Sequence, residues 1–201
     1  MEQAASYGNI VVAINYRLAL FGFFNYYDEE QGTTVGGNYG LMDIQNAIEF
    51  IHNNADMLGG DKDLITIDGQ SGGAWGVGAV LLHPKTGTLV NAAIAQSGCF
   101  LNAFSHVLLK NQTEPDYNKY TDMFCITDEC TPETTTAEKW EILKTIPAQE
   151  LWTPFLDAFI FPGPIPFDGV FYQENAFEKY RRGDLDTSIT YVLGINSFEG
   201  T

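Results

Sequence analysis

Basic residues are scarce in this chain. Ten Lys and Arg face twenty-six Asp and Glu, a formal net charge of −16. A surface of that sign repels a phosphate backbone and excludes a nucleic-acid partner. Long apolar runs are also missing: no stretch reaches the length of a transmembrane segment. The opening MEQAASYGNIVVAINYR lacks the basic start and long apolar core of a signal peptide. Low-complexity tracts are absent, and 45% hydrophobic content over 201 residues supports one globular domain with a sizeable core. The acidity reads first as solubility and second as a field that attracts cationic substrates.

Cysteine and histidine are rare too. Cys99, Cys125 and Cys130 leave at least one thiol unpaired. Cys125 and Cys130 share a polar loop and are spaced to close a small disulfide. No further ligands at matching spacing lie nearby, so no metal is expected. Asn111-Gln112-Thr113 is a glycosylation sequon, which matters only if the chain is secreted. The three histidines are His52, His83 and His106.

What is present is an alternation of strand and helix patterns. Residues 9–15 (NIVVAIN) are β-branched and apolar without alternation, as in a strand buried on both faces of a parallel sheet. An acidic, Gly- and Thr-rich loop follows from Asp28 to Gly37. Leu41, Ile44, Ala47, Ile48 and Ile51 then share one helical face, stopped by Asn53, Asn54 and Gly59-Gly60. Residues 64–68 read as a strand, 74–82 as a buried helix and 92–96 as a strand. Helical pieces are expected near 117–124 and 137–146, the Pro-rich 159–169 cannot be a central strand, and 190–194 returns as a last strand. The pattern predicts an α/β fold with a mostly parallel sheet. It forms a single partial domain over 1–201: a sheet core at 1–99, a helical excursion over the carboxyl-end face at 100–189, and a strand with its loop at 190–201. Both ends look cut, which points to a fragment of a longer protein.

The stretch GQSGGAWG (69–76) lies between the second strand and its helix. Gly-x-Ser-x-Gly alone is weak, but between strand and helix it has the context of a nucleophile elbow. There a strained serine projects above the sheet, and Gly69 and Gly73 would remove side chains that clash at the turn. The helix start favours developing negative charge, and Gly72 N–H is the natural oxyanion donor. An incidental serine in a glycine-rich turn is the plainer alternative.

The sequence resembles the type-B carboxylesterase and cholinesterase family of α/β-hydrolases. The resemblance rests on NYR (15–17), FGFF (21–24), GNYGLMDIQNAIEFIHNNADMLGGDKDLITIDGQSGG (37–73), AAIAQSG (92–98), PFDGVFY (166–172) and GINSFEG (194–200), in family order. It implies a serine carboxylic-ester hydrolase acting through an acyl-enzyme on a small-molecule ester, without metal or cofactor, in a secreted or ER-lumen setting. By the same resemblance Ser71 matches the nucleophile, Glu199 the acid of the triad and Gly72 the oxyanion donor. Arg17 and Asp43 look like structural positions, ion-paired with each other. The family pattern would pair Cys125 with the position held here by Ile142, so Cys130 is an alternative partner. Phe155, Phe159, Phe161 and Phe167 line an acyl pocket or serve as core aromatics. Gln70 stands where cholinesterases usually carry glutamate, which weakens a choline-ester reading, and Gly72 where alanine is common.

In this fold the base follows the acid in chain order, yet only Gly200 and Thr201 follow Glu199. His52, His83 and His106 match no base, and no HGGG-type loop precedes Asn9. The chain alone is therefore expected to be inactive. Some relatives of the family are catalytically dead adhesion proteins, so the alternative is a non-catalytic, cholinesterase-like binding protein. Those commonly lose the serine, and here Ser71 and Glu199 are both kept.

Overall fold

The fold is taken from a computed structural model that describes residues 5–28, 30–100, 130–131, 133–157, 168–184 and 186–199. Helix α1 (Ala19–Phe23) leads into a hairpin of β1 (Asn25–Asp28) and β2 (Thr33–Gly36). The long helix α2 (Tyr39–Asn54) follows. A single 3-10 turn (Lys62–Leu64) then delivers the chain to β3 (Thr66–Gln70), α3 (Gly72–Leu81) and β4 (Ala92–Gln96). Helices α4 (Thr136–Leu143), α5 (Ala148–Asp157) and α6 (Ala176–Arg181) precede the last strand, β5 (Thr190–Gly194).

Strands β3, β4 and β5 form a parallel sheet in that order. Gln70 is paired with Gln96, and Gln96 with Gly194, so all three strands end level. Side-chain volume sets the packing on the central strand. Ala93 and Ala95 are fully buried, and such small residues let α3 lie close against the sheet. Helix α3 itself buries Ala74, Gly76, Val77, Ala79 and Val80. A methyl at Gly76 would come 3.1 Å from the Ile44 side chain of α2, so the glycine admits the neighbouring helix. On α2 the expected apolar face is present, with Leu41, Ile44 and Ile48 buried against Val80, Leu82 and Phe100. Burying side chains of this size contributes about 1.5–3 kcal/mol each.

Several expectations need correction. Residues 9–15 form no strand: Ile10, Val11, Val12 and Ile14 are all exposed. An apolar run becomes a strand only where another backbone completes its hydrogen-bond ladder, and no described segment pairs with this one. The stretch expected as a loop at 28–37 instead contributes to the antiparallel β1–β2 hairpin, with Asn25 opposite Gly36 and Asp28 opposite Thr33. Strand β3 begins two residues later than expected because Lys62–Leu64 is taken by the 3-10 turn, where the Asp61 side chain accepts from Asp63 N.

The helix expected at 137–146 is α4, opened by a capping box between Thr135 and Glu138. The piece expected at 117–124, most of the Pro-rich stretch, and Phe159, Phe161 and Phe167 lie outside the described residues, as do Asn111, Cys125 and His106. Residues 168–184 are a described part of the excursion. It packs along the far half of α3: Tyr172 Oη donates to Ala79 O at 2.7 Å, and Lys179 Nζ to Leu82 O at 3.0 Å. Asp168 anchors that segment. Its Oδ1 accepts from the amides of Val170, Phe171 and Tyr172, and its Oδ2 from Asn38 Nδ2 at 2.8 Å.

Candidate active site

The carboxyl ends of β3, β4 and β5 gather the residues of interest. Ser71 follows β3 directly and caps α3 with φ 54° and ψ −117°. Non-glycine residues rarely adopt such a conformation, and it persists only when the surroundings over-determine it. Here two main-chain bonds fix it. Ser71 N donates to Gln96 O at 2.8 Å, and Ser71 O accepts from Trp75 N at 3.0 Å as the first bond of α3. The residue is exposed and its hydroxyl bonds to no described residue.

Only one of the two glycines credited with relieving the turn does so. A Cβ on Gly69 would collide with the main chain of Gly73 and Ala74, whereas one on Gly73 or Gly72 would meet nothing within 4 Å. The expectation for Gly73 is thus corrected: its backbone is the obstacle, and Gly69 gives the clearance. Gly72 heads α3, where first-turn amides have no intrahelical acceptor and the helix dipole is positive.

Glu199 lies beyond β5. Its Oε1 accepts from Ser97 Oγ at 2.6 Å and from Asn196 N at 2.8 Å. These donors, Ser97 first, hold the carboxyl below its ordinary range, so Glu199 is an anion near neutrality. Ser97 was not singled out from the sequence. It follows β4 with φ 53°, its N donates to Gly194 O at 2.7 Å, and Asn196 Nδ2 approaches its hydroxyl at 3.4 Å. The available signal was a repetition: Gln70-Ser71-Gly72 after β3 recurs as Gln96-Ser97-Gly98 after β4. Each serine takes the left-handed conformation, and each donates its amide to the last carbonyl of the next strand. Ser71 and the Glu199 loop leave strands separated only by β4, two inter-strand spacings or about 10 Å.

The described histidines are elsewhere. His83 follows the far end of α3, about 15 Å along a ten-residue helix from Ser71. Its ring packs on Phe171 at 4.7 Å and its Nδ1 accepts from Lys85 N at 3.2 Å. Burial, with Lys179 and Lys85 adding to it, keeps this imidazole below its usual pKa. His52 ends α2, on the side where the chain enters β3, with Nδ1 3.5 Å from Asn53 Oδ1. Neither stands at the strand carboxyl ends.

Arg17 and Asp43 are ion-paired as expected. Nε and Nη2 reach the two carboxylate oxygens at 2.7 and 2.8 Å, and Arg17 N adds a third bond at 2.9 Å. The pair raises the Arg17 pKa and lowers that of Asp43, first through the side-chain bond. Cys130 is disulfide-bonded and Cys99 carries a free thiol. Among the described residues, no three His, Cys, Asp or Glu are grouped to hold a metal ion, and no helix is long and apolar enough to cross a membrane.

A parallel strand running into a left-handed serine at a helix start, with a carboxylate two strands away, is the arrangement of an α/β-hydrolase. The chain belongs to the carboxylesterase family, whose sequence profile matches residues 2–201. It is similar to acetylcholinesterase of Leptinotarsa decemlineata, 29% identical over 98% of this chain and 32% of that protein. It is also similar to neuroligin-2 of Homo sapiens, 35% identical over 98% of this chain and 22% of that protein. The crystal structure of a carboxylesterase from Geobacillus stearothermophilus superposes with a TM-score of 0.72 at 29% identity, covering 96% of this chain and 38% of that one. The chain thus spans about a third of the length of the curated esterases it matches.

Proposed function

We propose that this chain carries the nucleophile and the acid of a serine carboxylic-ester hydrolase of the type-B carboxylesterase and cholinesterase group. The observation that carries the reading is Ser71, held at positive φ between β3 and the first turn of α3 with its hydroxyl exposed. Strained residues of this kind cluster at functional sites, and Ser71 combines that backbone with a helix N-terminus.

The geometry supports the following roles. An imidazole between Ser71 and Glu199 takes the Ser71 Oγ proton as the oxygen attacks the ester carbonyl. Gly72 N–H helps hold the resulting oxyanion. The imidazolium returns the proton to the leaving alcohol, an acyl-Ser71 forms, and water releases the acid by the same steps in reverse order. Glu199, anionic and fixed by Ser97 and Asn196, orients the imidazole and stabilises its charged form. Of the described histidines, neither His52 nor His83 stands at this position. Gln70 places no charge beside the serine, which supports neutral esters over choline esters as substrates. The Cys130 disulfide supports a secreted or ER-lumen location, since such bonds persist in oxidising compartments, and there the Asn111 sequon would carry a glycan.

The second reading is a non-catalytic binding protein on the same scaffold. The two separate by kinetics. Full-length protein given p-nitrophenyl acetate should release a burst of one p-nitrophenol per active site, then turn over steadily. Ser71→Ala should abolish both phases. Absence of burst and turnover in full-length protein favours the binding reading.

A further inference from the structure

Beyond the nucleophile and acid lies a residue that touches neither substrate nor base. We propose that Gly98 is a positioning residue for the oxyanion donor, acting through the carbonyl of Ser71; this rests on the esterase reading above. A Cβ built on Gly98 would lie 2.5 Å from Ser71 O, 3.3 Å from Ser71 C and 3.0 Å from the Ala74 methyl. Gly98 does not itself adopt the left-handed region, so glycine is required by contact rather than by conformation.

The contact matters because of which peptide it presses on. Ser71 C=O and Gly72 N–H belong to one planar unit and must turn together. A methyl at residue 98 displaces the oxygen, weakens its 3.0 Å bond from Trp75 N, and re-aims the Gly72 N–H. Retreat of the Gly98 side is blocked. Ser97 N is tied to Gly194 O at 2.7 Å and Ser97 Oγ to Glu199 at 2.6 Å, so moving that turn would break the setting of the acid. The Ser71 turn has the matching backbone tie, Ser71 N to Gln96 O at 2.8 Å, but, among the described residues, no side-chain tie like that of Ser97 to Glu199. The nucleophile's peptide therefore yields first. Gly98 thus couples the two Gln-Ser-Gly turns: one presents the nucleophile, the other fixes the acid, and their spacing sets the oxyanion amide.

The test uses the full-length protein and three variants. Gly98→Ala should fold, lower kcat for p-nitrophenyl acetate by about 100-fold, the scale of one lost oxyanion donor, and leave KM within about twofold. Fluorophosphonate labelling of Ser71 should slow in parallel, and the backbone amide resonances of Gly72 and Trp75 should move. Gly78→Ala is the control: its Cβ would meet Phe100 N at 3.0 Å on the same helix, and it should lower the melting temperature while kcat is kept. Gly98→Ala combined with Ala74→Gly removes the methyl–methyl conflict but not the carbonyl one. It should regain thermal stability without regaining kcat, and it is measured in place of the single variant if that fails to fold. Unchanged kcat and labelling in folded Gly98→Ala overturn the proposal, as does recovery of kcat in the double variant. If wild-type protein neither hydrolyses the ester nor labels at Ser71, the esterase reading fails on its own. The Gly72 amide then decides for Gly98, and an unmoved resonance overturns its positioning role.

Discussion

Ser97 Oγ donates to Glu199 Oε1 at 2.6 Å, joining the turn after β4 to the loop after β5. The bond stabilises the carboxylate over the carboxylic acid, and it spends one oxygen of Glu199 on the scaffold. On the proposed esterase reading, an imidazole would meet an acid that is already charged and already aimed. Hydrogen bonds to charged groups are among the stronger ones proteins make.

Replacing Ser97 by alanine should therefore let the Glu199 pKa rise toward its ordinary value of 4.5. Carboxyl titration by NMR reads this directly. In full-length protein the same change should lower kcat/KM by roughly tenfold, the rate equivalent of about 1.4 kcal/mol. An unshifted Glu199 titration would mean that the bond does not set the acid's charge.

Gly69 and Gly73 flank the same serine but should respond oppositely to a methyl. Gly69→Ala drives Cβ into the main chain of Gly73, a backbone conflict expected to cost about 3 kcal/mol or more. Gly73→Ala meets open space and, within a helix, should gain up to about 1 kcal/mol from propensity. Chemical denaturation of both variants checks the contrast. Equal losses would mean that the elbow is not built on the clearance at Gly69.

His83 makes stability depend on pH. Burial, reinforced by Lys179 and Lys85 and opposed by Glu49 and Asp168, places its folded pKa below the unfolded value of 6.5. The unfolded state then binds the extra proton more readily. The contribution is complete above pH 6.5 and is lost as pH falls through the lower, folded value. Protonation also puts a hydrogen on Nδ1, which must accept from Lys85 N. The melting temperature should fall on acidification through this range. His83→Asn, which keeps an acceptor but does not titrate, should flatten that limb, and an unchanged slope would assign the dependence to other groups.

Much of the site was legible because the physics there is local. Glycine spacing, a strand before and a helix after are properties of a dozen consecutive residues, and they located Ser71. The helical face of α2 followed from periodicity, and the strands at 92–96 and 190–194 from short apolar runs. What was hidden depends on residues far apart in sequence. Nothing near Ser97 says that Glu199, about a hundred positions on, will accept its hydrogen bond. The clearance requirement moved from Gly73 to Gly69 because only folded backbones show which side is crowded. Residues 9–15 read as a strand since composition reports burial potential, whereas a ladder needs a neighbour.

The most direct measurement is mass-spectrometric mapping of the adduct after treating full-length protein with a fluorophosphonate probe. The account predicts one modified residue, Ser71, with labelling abolished in Ser71→Ala and strongly slowed in Glu199→Gln. A folded, full-length protein that takes no label at Ser71, or takes it on another serine, would contradict it.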